Sequence, residues 1–163
     1  MIKWKTNGGI AIVAIIATLA MPAMASGISS SLSEIRVSAE VGDIEAQYEL
    51  GIAYADGNGA PQNYRVAFYW LLKAALAENA DAEYEVGMLY KEGLGVAQSN
   101  RLAFDWINRS AQQGNAEAQY ELGTLYQSGT GIRTSPEKAF KWYKEACENG
   151  SESGCNKTRK IRR

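Results

Sequence analysis

The residue types that most often carry chemistry are few here, and their absences say as much as their positions. Histidine does not occur in the 163 residues, which removes the commonest general base and the commonest metal ligand together. No Ser-His or Cys-His pair can therefore activate a nucleophile. The only cysteines, Cys147 and Cys155, have seven residues between them and are open to use as thiols or as a bridge. No Gly-x-x-x-x-Gly-Lys phosphate loop and no metal-spaced cluster is present. The carboxylates recur at a fixed interval, which marks them as scaffold positions. On these grounds no catalytic residue, no metal ligand and no cofactor is expected.

The elements that must position these side chains come from a repeat. Ala118-Gln119-Tyr120-Glu121-Leu122-Gly123-Thr124-Leu125-Tyr126 recurs 36 positions earlier as Ala82-Glu83-Tyr84-Glu85-Val86-Gly87-Met88-Leu89-Tyr90. It recurs 36 earlier again as Ala46-Gln47-Tyr48-Glu49-Leu50-Gly51-Ile52-Ala53-Tyr54. The register continues through Gly57/Gly93/Gly129, Gly59/Gly95/Gly131, Phe68/Phe104/Phe140 and Trp70/Trp106/Trp142. A period of this size means a solenoid, in which each unit buries its apolar face only against its neighbours. Function is then sought on the surface that the stack creates.

Each unit reads as cap, helix, glycine turn and second helix. Asp43, Asn79, Asn115 and Ser151 precede the first helices in strict register, and all four are good N-cap types. Gly42, Gly114 and Gly150 stand before three of these caps, where a helix end favours positive φ; Glu78 interrupts the pattern. The second helices begin after Asn63, Ser99 and Ser135, the last followed by Pro136 in its favoured first-turn place. Ala67, Leu71, Ala74 and Ala75 recur at helical spacing, and their small size lets the two helices of a unit lie close. Gly51, Gly87 and Gly123 each cost about 0.5–1 kcal/mol inside a helix, so the space of a Cβ is expected to be filled by the neighbouring helix. Trp106 and its two equivalents are expected to be largely buried between units, with loss of the ring costing about 3–5 kcal/mol.

Before the repeats, Lys3 and Lys5 precede an uncharged stretch from Gly8 to Met21, and Pro22-Ala23-Met24-Ala25 ends in a small-x-small pattern. That is the layout of a secretory leader, with cleavage expected after Ala25. Retention of residues 8–21 would instead give a membrane-tethered adaptor. The expected division is a leader over 1–25, a lead-in and capping helix over 26–42, and repeats over 43–78, 79–114 and 115–150. A capping helix with a basic tail follows over 151–163. The formal charge of −1 conceals an acidic body between Lys3 and Lys5 at one end and Lys157, Arg159, Lys160, Arg162 and Arg163 at the other. A nucleic-acid-binding face is therefore not expected on the repeats. The basic tail reads as a solvated terminus, with anionic lipid as its other use.

The pattern A-x-Y-x-L-G-x-x-Y-x-x-G-x-G followed by A-F-x-W resembles the Sel1-like repeat, a relative of the tetratricopeptide repeat, over about residues 43–150. Ala53 departs from the Leu89 and Leu125 of the other units, and Asn63, Ser99 and Ser135 stand where the family usually has Asp. The resemblance implies an all-α, right-handed α-solenoid and a role in protein–protein interaction, with no shared active site. If the repeat resembles its relative, Tyr48, Tyr84 and Tyr120 share an exposed face of the first helices with Ile52, Met88 and Thr124, and with Ala55, Lys91 and Gln127. A tyrosine ladder suits capture of a protein or peptide, because Tyr offers contact area with little rotamer entropy to lose. Packing between successive first helices is the other use of the same rings. Glu45, Asp81 and Glu117 beside it would favour a partner with basic patches.

Cys147 projects onto the packed face of its helix, at the position of Ala75 and Ala111, and Cys155 onto the first turn of the next helix. Neighbouring helices bring such positions together, and an exported chain meets oxidants, so a disulfide is expected. The same pair resembles the bridge of the cysteine-rich bacterial branch of the family. To members of that branch a β-lactam-binding or hydrolysing activity is attributed, which makes such an enzyme the alternative to a periplasmic or secreted interaction scaffold.

Overall fold

The computed structural model describes residues 31–161. Among the described residues eight helices follow one another: α1 (Leu32–Glu40), α2 (Ile44–Asp56), α3 (Tyr64–Leu76), α4 (Ala80–Glu92), α5 (Asn100–Gln112), α6 (Ala116–Ser128), α7 (Pro136–Glu148) and α8 (Glu152–Ile161). Each packs on the helix before it and the helix after it, so that α2/α3, α4/α5 and α6/α7 stack as consecutive pairs between half-units at the ends. The expected leader lies outside the described residues. Among the described residues no helix is long and apolar enough to cross a membrane.

The caps stand where the 36-residue register puts them. Asp43, Asn79 and Asn115 accept the backbone N–H of Ala46, Ala82 and Ala118 at 2.9, 2.8 and 2.8 Å, and Ser151 accepts that of Gly154 at 3.3 Å. Asn63, Ser99 and Ser135 serve α3, α5 and α7 in the same way. At the turns before the first helices, Gly42, Gly114 and Gly150 have φ between +94° and +100°. Glu78 keeps the left-handed backbone of that position at φ +65°. The tertiary stack imposes the turn, and the side chain bears the steric cost.

Second-helix alanines and their apolar neighbours pack against the first helix of the next unit. Ala67, Leu71, Ala74 and Ala75 are fully buried and form one core with Ala82, Val86 and Leu89; Ile107 and Ala111 form another with Ala118, Leu122 and Leu125. A Cβ on Gly87 would lie 2.6 Å from Ile107 Cγ1 and 3.2 Å from both the Ala103 carbonyl oxygen and the Ile107 nitrogen. Gly87→Ala is therefore expected to lower Tm, because overpacking of about 1–3 kcal/mol exceeds the gain of about 0.5–1 kcal/mol in helix propensity. A thermal melt in which Tm rises would show that the close approach is not there.

The tryptophans are placed as expected. Trp70, Trp106 and Trp142 lie between units, against the α1/α2, α3/α4 and α5/α6 cores in turn, and each keeps a minor part of its ring in reach of solvent. The fully buried position is the next one along, occupied by Leu71, Ile107 and Tyr143. Trp106 carries the Arg109 guanidinium over its ring at 4.7 Å, which holds one face near solvent. The cost of removing a buried ring accordingly belongs to residue 143.

A polar ladder also runs between units. Gln47 donates to the Ala39 carbonyl and Gln119 to that of Ala111, both at 3.1 Å. At the equivalent place in the middle unit stands Glu83, wholly buried. Gln113 donates to its Oε2 at 2.6 Å. Arg109 Nε lies 2.9 Å from Oε1, yet off the line of a directed hydrogen bond, so that oxygen has no hydrogen-bond partner. Burial raises the Glu83 pKa, against the opposing pull of Arg109 and Gln113. A carboxyl whose folded pKa is raised contributes stability that is fully present below its unfolded pKa and is lost as pH rises through the folded value. Glu83→Gln restores the amide of the neighbouring units and is expected to raise stability at neutral pH by about 1 kcal/mol. It should also flatten the decline in urea midpoint as pH rises above the ordinary carboxylate range. A variant that is less stable at neutral pH would show that the Arg109 pairing outweighs desolvation.

Candidate docking face along the first helices

Tyr48, Tyr84 and Tyr120 occupy one position of α2, α4 and α6, and all three are half-buried. Tyr48 and Ile52 lie against the α3/α4 core, and Tyr84 and Met88 against the α5/α6 core. Tyr120 has its ring 5.6 Å from that of Tyr143. Tyr48 and Tyr84 thus join one unit to the next, Tyr120 packs within its own unit, and part of each ring stays accessible.

The C-terminal end of the row is a polar network. Tyr143 donates its hydroxyl hydrogen to Gln127 Oε1 at 2.8 Å, and Thr124 Oγ1 lies 3.3 Å from the same hydroxyl. Lys157 Nζ donates to Gln127 Oε1 at 3.4 Å and stands 5.6 Å from the Tyr143 ring centre. Tyr120, Thr124 and Gln127 are therefore gathered around a residue that the repeat pattern did not single out. The available signal was a tyrosine where the other units have Leu71 and Ile107. Lys91 is drawn elsewhere, to Glu121 at 2.6 Å.

That ion pair exposes a difference between units. Lys91 pairs with a carboxylate 30 positions later, and Gln127 meets Lys157 at the same separation. The corresponding residues one unit earlier are Ala55 and Glu85. Ala55 has no cation to offer, and Glu85 is half-buried with no ion pair or hydrogen bond from a side chain among the described residues. Burial raises the Glu85 pKa, and Asp56, Asp81 and Glu92 raise it further.

The same field acts on the phenols. Burial, followed by Glu121, Glu85, Glu117 and Glu92, pushes Tyr84 up to about 12. Tyr48 is raised by burial and then by Glu85, Asp81, Glu45 and Asp56. Burial also raises Tyr143, against the hydrogen bond from Thr124. These hydroxyls stay protonated well into the alkaline range, so they serve as contact surface and hydrogen-bond donors and are poorly suited to act as nucleophiles or bases.

At the far end, Cys147 and Cys155 form a disulfide between α7 and α8. Buried Gly154 lets α8 approach closely: a Cβ there would lie 2.8 Å from the Ala146 Cβ and from the Tyr143 carbonyl oxygen. The bridge and this contact together hold the helix that delivers Lys157.

Comparison with known proteins agrees with this architecture. The chain is 34% identical to a Sel1 repeat protein from Oxalobacter formigenes, with a TM-score of 0.72 over 79% of this chain and 97% of that one. It is 35% identical to a protective antigen of uropathogenic Escherichia coli that displays an SLR fold, with a TM-score of 0.75 over 77% of this chain and 27% of that one. Cysteine-rich protein B of Helicobacter pylori shares the fold at 20% identity, with a TM-score of 0.63 over 80% of this chain and 98% of that one. No curated protein matches the sequence. The pattern described as the Sel1 repeat matches residues 44–79, 80–115 and 116–151; with three consecutive copies spanning most of its length, the chain belongs to the Sel1 repeat family.

Proposed function

We propose that this protein is an exported docking module that seats a protein or peptide partner along α2, α4 and α6 and carries out no reaction of its own. The observation that carries the reading is the row of half-buried tyrosines with acids that lack internal cations, above all Glu85. Tyrosine supplies rigid contact area, and unpaired carboxylates supply selectivity for a basic partner. The raised phenol pKa values and the absence of histidine support a role without catalysis. Export is supported by the Cys147–Cys155 bridge, since such bonds persist in oxidising compartments.

The test is affinity capture from periplasm or culture medium with the wild-type chain and with Glu85→Lys. A partner retained by the first and lost by the second is the expected result. Equal capture by both would place the docking surface elsewhere, and turnover of a chromogenic β-lactam would overturn the non-catalytic reading.

A further inference from the structure

The charge of this chain is polarised along the stack. Residues 43–92, in the first two units, carry nine acids against three bases. Residues 133–163, in the last second helix and the cap, carry four acids against nine bases. The two ends of one molecule are thus complementary to each other.

The acidic end has a specific vacancy for a cation. Lys91 Nζ neutralises Glu121 at 2.6 Å; one unit earlier, Ala55 in place of the lysine leaves Glu85 without a counter-ion beside Tyr48 and Tyr84. The basic end has the matching group. In α8, Arg159 and Lys160 are exposed and form no ion pair among the described residues, and Ile161 beside them is 50% exposed. Arg162 and Arg163 follow in sequence. A segment of cations around one apolar side chain fits a surface of carboxylates around tyrosine and Ile52.

We propose that the basic C-terminal segment of one copy docks on the first-helix face of a second copy, with a Lys or Arg side chain at Glu85 where Lys91 would stand in the next unit. The proposal rests on the docking role given above and names the occupant. Because tail and face lie at opposite ends of the stack, the contact is heterologous and propagates head to tail.

Sedimentation velocity on the purified protein tests it. The wild-type chain is expected to associate in a concentration-dependent manner at about 20 mM salt and about tenfold more weakly at about 500 mM, as exposed charges are screened. Ala55→Lys, which gives Glu85 an internal partner, and the tail variant Arg159→Glu/Lys160→Glu should each be monomeric under the same conditions. So should the face variant Glu49→Lys/Glu85→Lys. Mixing the tail variant with the face variant should restore a one-to-one complex, because the unaltered basic tail of the face variant then meets the unaltered acidic face of the tail variant. All these side chains except Ala55 and Glu85 are exposed, and unchanged thermal melts confirm that the fold survives. A wild-type chain that stays monomeric up to about 1 mM, a concentration at which even a weak contact is half populated, would overturn the proposal. So would association that the tail variant leaves intact, or a mixture that remains apart. If the wild type is monomeric while Ala55→Lys still abolishes capture of a different protein, the docking role stands and the self-docking falls.

Discussion

Gly95→Ala is expected to be among the most damaging single-methyl additions to this fold. Gly95 has φ +70°, and a Cβ on it would overlap the Tyr64 carbonyl group at the start of α3, in the preceding unit. Gly131, at φ +76°, is placed in the same way against the Asn100 carbonyl at the start of α5. The left-handed backbone costs an L-residue about 1–2 kcal/mol, and overlap with neighbouring backbone adds about 1–3 kcal/mol. A loss of about 2–5 kcal/mol follows from the two together. Gly59 is the internal control, since its φ of +78° is similar but only Leu32 side-chain atoms lie near, at 3.8 Å and beyond. Gly59→Ala should therefore carry the backbone cost alone. Equal urea midpoints for Gly59→Ala and Gly95→Ala would show that units do not touch through their turns.

Tyr143→Ala should be as costly, at about 3–5 kcal/mol. Tyr143 is the largest fully buried side chain among the described residues. Its ring fills the space over Gly123, where a Cβ would stand 2.7 Å from Cδ1 and Cε1. Removing it opens a cavity under α6 and strips Tyr120 of its packing partner. Tyr143→Phe separates ring from hydroxyl: it keeps the packing and loses the bond to Gln127, for about 1 kcal/mol. If denaturation showed Tyr143→Phe to be as damaging as Tyr143→Ala, the polar network would outweigh the ring.

Both predictions concern contacts between helices, which is also where reading the chain as text reached its end. Helix boundaries, caps and glycine turns were legible because they depend on residues a few positions apart and recur every 36. Asp43, Asn79, Asn115 and Ser151 cap as their positions indicate, and the Cys147–Cys155 bridge joins the two helices expected of it. Size and recurrence say that the tryptophan rings pack, without saying how much of each solvent still reaches. Tyr48, Tyr84 and Tyr120 were identified as a row, but neither their half-burial nor the role of Tyr143 in tying Thr124 to Gln127 was visible along the chain.

By itself, then, the order of residues determined that this protein is a stack of helical pairs and where each pair begins and ends, because local hydrogen bonding and apolar periodicity act within one unit. The tertiary structure alone decided which repeated acids are answered by a cation. Lys91 reaches Glu121 while Glu85, with Ala55 at the place equivalent to Lys91, has no ion pair among the described residues, and Glu83 is sealed from water where its counterparts are amides. Charge interactions depend on distance in space and on burial, and successive units bring together residues 30 positions apart that no local pattern links.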